Sequence, residues 1–210
     1  MARGEVRDKN VRERILDVSR DIFFSRGFSK VTVDELARVL GVSKKTIYAN
    51  FESKDEILNV VMDRHLAELT KRMDEIFASK DDFMERLFGL FTLVSEAIYQ
   101  KGPLFMENLQ RRRPDLWKKL DEYRKRQILL RYSKMLSDGV RLGFIRKEVD
   151  QSLIILVVLA SVQGILNPVT ISQNSLDAKL AFAGIFSIIH EGTLTDEARQ
   201  KLRVLFDGKN

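Results

Sequence analysis

Two lysines, a threonine, a tyrosine and an asparagine lie close together in the stretch SKKTIYANF, residues 43–51. Ammonium, hydroxyl and amide groups donate hydrogen bonds to the phosphate oxygens of DNA, and lysine also donates to guanine O6 and N7. Ile47 and Phe51 are four residues apart, so both lie on one face of a helix and can anchor it. The other face is then available to a binding partner. The sequence predicts that this partner is DNA and that the helix binds in its major groove. The predicted contacts are Lys44, Lys45, Thr46, Tyr48 and Asn50.

Predicted helix starts and a tight turn surround this stretch. Thr32-Val-Asp-Glu35 and Ser53-Lys-Asp-Glu56 both have the spacing of a capping box, which marks the start of a helix. Ser43 is a favoured N-cap residue, and Gly41 tolerates the positive φ of a tight turn. The sequence therefore predicts a helix-turn-helix unit with residues 43–51 as its recognition helix.

Thr32 and Lys54 stand at the starts of the helices on either side of the recognition helix. Free backbone amides at a helix N-terminus favour anions, so we predict phosphate contacts for both residues. Arg3, Arg7 and Lys9 predict an additional basic arm along the DNA. The alternative is a three-helix packing unit whose lysines are merely solvated, which leaves the tyrosine and the asparagine of the recognition helix unexplained.

The remainder of the chain has helical periodicity almost throughout. Val11, Ile15, Val18 and Ile22 mark an amphipathic first helix that ends at Gly27. No convincing alternation of apolar and polar residues indicates strands, so the predicted fold class is all-α. Further helices are predicted near residues 81–100, 103–112, 114–141, 151–167, 175–192 and 195–206.

Composition excludes several classes of protein. The 210 residues contain no cysteine, which removes disulfides and thiolate chemistry and fits a reducing cytoplasm. The longest apolar run, residues 153–162, is well short of the ~20 residues that span a bilayer, so we expect no membrane anchor. The net charge of +6 is weak support for DNA binding, because residues 1–60 carry 12 basic against 10 acidic side chains.

Enzyme chemistry has few candidate residues. His65 and His190 are the only histidines, and they lie far apart in the sequence without metal-ligand spacing. No glycine-rich loop of the kind that holds phosphate groups is present. We therefore predict no catalytic residue, no metal and no cofactor. A nuclease or recombinase that uses carboxylates with Mg²⁺ is the alternative from a different class.

Residues 14–58 resemble the DNA-binding domain of TetR-family (tetracycline-repressor-like) transcriptional regulators. This match covers about a fifth of the chain. Ser19 departs from the pattern, since alanine is usual there, and so does Asn50, where histidine or tyrosine is common. The shared elements are Ile15-Leu16, Phe24, Gly27-Phe28, Thr32-Val33, Leu36-Ala37, Gly41-Val42-Ser43, Ile47-Tyr48, Phe51 and Ser53-Lys54.

The resemblance implies a homodimer on a palindromic operator. Residues 1–56 would form the helix-turn-helix DNA-binding domain, and residues 57–210 a larger helical domain for ligand binding and dimerisation. The resemblance also implies that the protein is a repressor, and that a small-molecule effector of unknown identity releases it from DNA. A non-inducible architectural or nucleoid-associated DNA-binding protein is the second hypothesis. Transferred residue by residue, the DNA contacts become Thr32, Ser43, Lys44, Lys45, Thr46, Tyr48, Asn50 and Lys54.

Several polar side chains of the C-terminal half stand in apolar surroundings. Such groups need hydrogen-bonding partners, which an effector supplies in a ligand pocket and which a neighbouring helix supplies in a core. The basic stretch at residues 111–131 is either a solvated face or a site for an anionic effector. The predicted effector pocket comprises Phe105, Asn108, Trp117, Gln163 and Asn167, and the alternative for Phe105 and Trp117 is a place in the core.

Two late segments, residues 153–166 and 176–189, are apolar on nearly every side. One monomer is large enough to bury both, but small residues would also let them form a four-helix interface with a second subunit. The resemblance favours the dimer. The predicted interface residues are Ala160, Gly164, Ala181 and Gly184.

Overall fold

The computed structural model describes residues 2–208, and it describes the side chains of residues 10–208 other than Tyr99. Over these residues the secondary structure is helical, and one isolated β-bridge joins Ile145 to Leu194. The predicted all-α fold class is confirmed. In chain order the helices are α1 (Ala2–Arg26), α2 (Val33–Leu40), α3 (Lys44–Tyr48), α4 (Lys54–Ala78), α5 (Phe83–Tyr99), α6 (Pro103–Arg112), α7 (Pro114–Gln127), α8 (Ser133–Arg141), α9 (Gln151–Ala160), α10 (Pro168–Gln173), α11 (Ala178–Thr193) and α12 (Asp196–Asp207).

The chain divides into two compact units. The first unit comprises Met1–Glu68 and Gln100–Trp117, and the second comprises Leu69–Tyr99 and Lys118–Asn210. The first unit therefore contains α1 to α3, the first part of α4, and α6 from later in the chain. The predicted division into functional domains at residue 56 stays a prediction, since compactness alone does not assign a function.

Side-chain caps determine where α2, α3 and α4 begin. In each case the hydroxyl of a threonine or serine accepts a hydrogen bond from the backbone amide three residues later, one of the first-turn amides that lack the regular helical partner four residues earlier. The predicted helix starts are thus confirmed. The pairs are Thr32 with Glu35 at 3.2 Å, Ser43 with Thr46 at 3.0 Å and Ser53 with Glu56 at 3.1 Å.

The core of the first unit is built around α1. Its apolar face packs with α2 and α6, and Phe24 contacts His65 of α4, as the four- and three-residue spacing of an amphipathic helix predicts. Phe105 of α6 is fully buried in the same core, with its ring centroid 4.7 Å from that of Phe24. The fully buried side chains of this core include Ile15, Leu16, Phe23, Leu36, Ile47, Ile57, Leu58 and Met62.

The second unit has its own core between α5, α8, α9, α11 and α12. Gly139 of α8 is closely surrounded in this core, because a Cβ at this position would lie 2.6 Å from Ile145 Cδ1 and 2.7 Å from Phe83 Cζ. Only a glycine lets α8 approach so closely. The buried core residues include Phe83, Met84, Leu87, Met135, Leu136, Ile154, Leu194 and Ala198.

Two predicted helices differ from the structure in detail. The helix predicted at 114–141 contains a π-helical segment, Ile128–Tyr132, and α9 is followed by a second one, Ser161–Ile165. Apolar periodicity does not reveal the wider π turn, which inserts one residue into the hydrogen-bond pattern. The short helix α10 was not predicted; it begins where Asn167 caps a new helix and Pro168 occupies its first turn.

Candidate nucleic-acid interface

The turn between α2 and α3 has the predicted geometry. Gly41 has a φ of +66°, in the left-handed region that favours glycine. The amide of Val42 donates to the carbonyl of Ala37 at 3.0 Å, which closes the C-terminal turn of α2 as in a Schellman motif. This turn sets the direction in which the chain leaves α2 and enters α3.

Apolar contacts anchor α3 by one face. Ile47 and Phe51 are buried, as predicted. Two arginines that the sequence interpretation missed also support this region. Arg14 donates to the carbonyl of Leu40 at 3.3 Å, and the Arg12 guanidinium lies over the Phe51 ring, 4.7 Å from its centroid. Both contacts join α1 to residues far along the chain, so no local sequence signal predicts them.

The outer face of α3 exposes Lys44, Lys45 and Tyr48, and 53% of the Tyr48 side chain is accessible to solvent. Lys44 forms an ion pair with Asp34 of α2 at 2.5 Å, which orients its ammonium toward the N-terminus of α2. Both members of this pair are exposed, so the pair contributes little stability and can exchange for a phosphate. Thr32, whose hydroxyl caps α2, is exposed as well.

Three of the predicted contact residues, Ser43, Thr46 and Asn50, form hydrogen bonds in α3 and at its two ends. The hydroxyls of Ser43 and Thr46 share a hydrogen bond of 2.9 Å. The side-chain amide of Asn50 donates to the carbonyl of Thr46 at 2.8 Å. These bonds orient the three side chains before any partner binds, and they use part of the hydrogen-bonding capacity that was predicted to meet DNA.

Lys54 is placed differently from the other predicted DNA contacts. Its ammonium donates to the carbonyls of Phe28 and Val31 at 2.9 and 2.8 Å. Burial lowers the pKa of Lys54, and neighbouring Asp55 acts in the opposite direction. Two of the three ammonium donors are therefore used inside the first unit. The predicted arm residues Arg3, Arg7 and Lys9 have side chains outside the described part of the chain.

The predicted effector residues are divided between the two units, and their role in ligand binding stays a prediction. Phe105 and Asn108 belong to the first unit, where Phe105 fills the core and the Asn108 side-chain oxygen accepts a hydrogen bond from the Ser29 amide at 3.2 Å. Trp117 is half-buried at the end of that unit. In the second unit Gln163 is exposed, and Asn167 accepts a hydrogen bond from the Val169 amide as the cap of α10.

The second unit also contains a half-buried group of aromatic rings that the sequence interpretation missed. Its rings lie on α5, α11 and α12, and each centroid is within about 5.5 Å of that of Phe91. Residues this far apart in the sequence are brought together only by helix packing. We call this group the aromatic cluster; its members are Phe91, Phe182, Phe186 and Phe206.

Buried His190 and half-buried Tyr132 lie beside Phe186 of the aromatic cluster. The His190 ring stacks on Phe186 at 3.9 Å, and its Nδ1 is 2.8 Å from the Phe186 carbonyl oxygen. Burial lowers the pKa of His190 to about 4, and the bond to that carbonyl opposes the shift. Neutral His190 therefore donates from Nδ1, and Nε2 accepts from the Tyr132 hydroxyl at 3.4 Å.

Large apolar side chains are exposed on α9 and α11, around the predicted dimer residues. Leu180 and Ile188 of α11 are 72% and 76% exposed in the single chain. A Cβ at Gly164 or Gly184 would meet nothing within 4 Å. Ala160 and Gly184 are exposed and Ala181 is half-buried. On α9 the exposed apolar side chains are Leu153, Leu156 and Val157.

No helix within residues 2–208 is both long enough and apolar enough to cross a membrane. The same residues contain no group of three or more histidine and carboxylate side chains placed to hold a metal ion.

An anchored three-residue turn, a capped recognition helix and exposed basic and aromatic side chains on that helix define a helix-turn-helix DNA-binding protein. The sequence model of the bacterial regulatory proteins of the tetR family matches residues 15–61. These residues carry the DNA-binding domain of the TetR family of transcriptional regulators, as the motif in residues 14–58 predicted.

Similarity to known regulators extends over most of the chain. The transcriptional repressor KstR2 of Mycobacterium tuberculosis is 27% identical over 154 residues, which cover 72% of this chain and 76% of KstR2. The solved structure of that ketosteroid regulator is similar to this fold with a TM-score of 0.57 at 22% identity, covering 88% of this chain and 95% of the other.

Two further solved structures share the fold. A TetR-family regulator from Agrobacterium tumefaciens gives a TM-score of 0.68 at 14% identity, over 90% of this chain and 100% of the other. The fatty acid degradation regulator FadR from Bacillus halodurans gives 0.58 at 17% identity, over 87% and 95%. These similarities confirm the fold of the helix-turn-helix and of most of the chain that follows it.

Proposed function

We propose that the protein is a homodimeric repressor in the cytoplasm, which binds a palindromic operator and is released by a small-molecule effector. The observation that carries the proposal is the recognition helix, which is held from within by Ile47 and Phe51 while Lys45 and Tyr48 remain exposed. A helix that served only for packing would not keep a tyrosine ring half exposed to solvent beside two lysines.

The DNA contacts proposed are those of α3 and of the N-terminus of α2. Lys44 and Lys45 bind guanine or phosphate, the Thr46 methyl group packs against thymine, and Tyr48 donates to a phosphate oxygen. Thr32 brings the free amides of α2 close to the backbone of the DNA. Ser43 and Asn50 orient the helix and contribute their remaining hydrogen-bonding groups.

Dimerisation is proposed through α9 and α11. Exposed leucine and valine side chains of α9 and exposed leucine and isoleucine side chains of α11 form apolar surface that a second copy would bury, and neighbouring small residues allow close approach. Two recognition helices could then lie about 34–36 Å apart, which is one turn of B-DNA.

The proposed effector is an apolar molecule. KstR2 is described as a ketosteroid regulator and FadR as a regulator of fatty acid degradation, and both share this fold. The aromatic cluster of the second unit offers ring faces for such a molecule, and the His190–Tyr132 pair offers a neutral polar group beside them. An effector that binds better to the DNA-incompetent form shifts the population by its difference in affinity.

Selection of preferred sites from random duplex DNA tests the function. We expect a palindromic consensus with half-sites one helical turn apart, bound by two chains. A ketosteroid such as progesterone and a fatty acid such as oleate are then titrated against the complex, and release by either supports an inducible repressor. Binding without sequence preference would instead indicate an architectural DNA-binding protein.

A further inference from the structure

We propose that Lys54 and Asn108 are positioning residues for DNA binding, because together they hold the loop between α1 and α2, residues 27–32. We call this segment the α1–α2 loop. The inference rests on the proposed function and deepens it, since it assigns Lys54 to the interior of the DNA-binding unit rather than to a phosphate.

Lys54 holds the loop from the first turn of α4. Its ammonium donates to the carbonyl of Phe28 at 2.9 Å and to that of Val31 at 2.8 Å. The side chains of Phe28 and Val31 are buried, so the loop is fixed by its apolar groups on one side and by the cation at its carbonyls. A charge-assisted hydrogen bond is about twice as strong as a neutral one.

Asn108 holds the same loop from α6. Its side-chain oxygen accepts from the amide of Ser29 at 3.2 Å. Gly27, with a φ of +77°, is where the loop leaves α1, and a Cβ there would lie 3.0 Å from that same oxygen. The amide of Gly102 donates to the Phe24 carbonyl at 2.9 Å and secures the other end of α6. All of these contacts lie within the first unit.

The α1–α2 loop ends at Thr32, the residue whose hydroxyl caps α2. Because α2 leads through the Gly41 turn into α3, the position of the loop determines where the recognition helix lies relative to α1 and α4. A loop that is released from Lys54 or Asn108 would therefore misplace α3 without removing any group that meets DNA.

Salt dependence separates a positioning residue from a phosphate ligand. Each phosphate contact contributes about 0.9 to the slope of log K against log salt concentration, whereas a positioning residue changes the affinity at every salt concentration by the same factor. The full-length protein is used with the DNA site selected above. The variants are Lys54→Met, Asn108→Ala, the double variant, Lys54→Arg, and Lys71→Met as the matched control on the exposed part of α4.

We expect Lys54→Met and Asn108→Ala each to weaken binding about tenfold, with salt slopes equal to that of the wild type. The double variant should lose less than the product of the two factors, because both side chains hold one loop. Lys54→Arg keeps donors for the two carbonyls and should retain most of the affinity. Amide hydrogen exchange in residues 27–32 should be faster in the first two variants, and Lys71→Met should match the wild type.

Two results would overturn the inference while leaving the function intact. If the slope of log K against log salt concentration were smaller in Lys54→Met than in the wild type by about 0.9, Lys54 would be a phosphate ligand. Unchanged affinity in folded Lys54→Met and Asn108→Ala would show that the loop contacts serve stability alone. If Lys54→Met does not fold, Lys54→Gln, which removes the charge but keeps an amide donor, gives the same comparison of slopes. A wild-type protein that selects no DNA would contradict the proposed function itself.

Discussion

The polar side chains of residues 43–50 are of two kinds: some form hydrogen bonds to other groups of the same segment, and others are exposed without such bonds. Ser43, Thr46 and Asn50 are joined by hydrogen bonds of 2.8–3.0 Å, so they are held in place before DNA arrives. Lys45 and Tyr48 are exposed. Their contribution to affinity should therefore be direct, and the others should act partly through the geometry of the helix.

Alanine substitution tests the direct contacts. Lys45→Ala and Tyr48→Ala should each weaken operator binding by about 1–3 kcal/mol, since each removes a contact to base or phosphate. Both side chains are exposed, so the melting temperature should stay within about 2 °C of the wild type. Fluorescence anisotropy with labelled operator and circular dichroism measure the two effects. Lys71→Ala is the control and should bind the operator like the wild type. Wild-type affinity in Lys45→Ala and Tyr48→Ala as well would contradict the assignment of α3 as the recognition helix.

Two buried histidines make stability depend on pH. Burial, together with Lys101 and Arg20, lowers the pKa of His65 to about 3, and burial lowers that of His190 to about 4. A lowered folded-state pKa means that the unfolded chain binds protons first. The stability they contribute is complete above about pH 6.5 and is lost progressively as the pH falls below it.

Urea unfolding at about pH 7 and about pH 5 checks this dependence. Each histidine should cost about 2 kcal/mol of unfolding free energy over that interval, before most carboxylates titrate. His65→Gln and His190→Gln should each flatten the dependence, whatever their effect at neutral pH. A slope that both variants leave unchanged would mean that other groups control acid stability.

At the scale of the helices, close packing depends on a few glycines. A Cβ at Gly139 would lie under 3 Å from Ile145 and Phe83, whereas at Gly89 of α5 it would meet Ile76 at an ordinary 3.7 Å. The two positions are both inside helices of the second unit.

Gly139→Ala should therefore destabilise the second unit by about 1–3 kcal/mol through overpacking. Gly89→Ala should be neutral or stabilise it by up to about 1 kcal/mol, because alanine has the higher helix propensity. Thermal unfolding of the two variants beside the wild type measures the difference. Equal melting temperatures would contradict the packing of α8 on this core.

The helix-turn-helix was predictable because its determinants are local. Thr32, Ser43 and Ser53 each bind an amide three residues away, and Gly41 needs only its own positive φ. The anchors Ile47 and Phe51 follow from helical spacing.

The contacts made by α6 were not predictable, because they join residues distant in the sequence. The Asn108–Ser29 bond spans 79 residues. From the sequence alone, Asn108 is either a ligand-binding group or half of a hydrogen bond between helices, and Phe105 is either core or pocket, so the partner of neither residue can be predicted. In the structure the Asn108 side-chain oxygen accepts from the Ser29 amide, and Phe105 fills the core of the first unit. The aromatic cluster was missed for the same reason, since α5, α11 and α12 meet only after folding.

For the whole molecule, the proposed dimer depends on α11. Ile188→Asp places a charge on a side chain that is 76% exposed in the single chain and should be buried in a dimer. We expect sedimentation to show monomers at micromolar concentration and operator affinity to fall at least tenfold. Val204→Asp on α12, where the side chain is 70% exposed, is the matched control and should remain dimeric. A dimeric Ile188→Asp variant would place the interface elsewhere.

The placement of α6 bears on how regulators of this kind can be recombined. Residues 100–117 belong to the same compact unit as residues 1–68, and Phe105 fills the core beside Phe24 and Phe28. A fragment that ends within α4 would leave that core incomplete and the α1–α2 loop without Asn108. A chimera that transfers the operator specificity of this protein to another effector domain must therefore carry two separate sequence segments, and a single crossover after the recognition helix would join mismatched halves of one core.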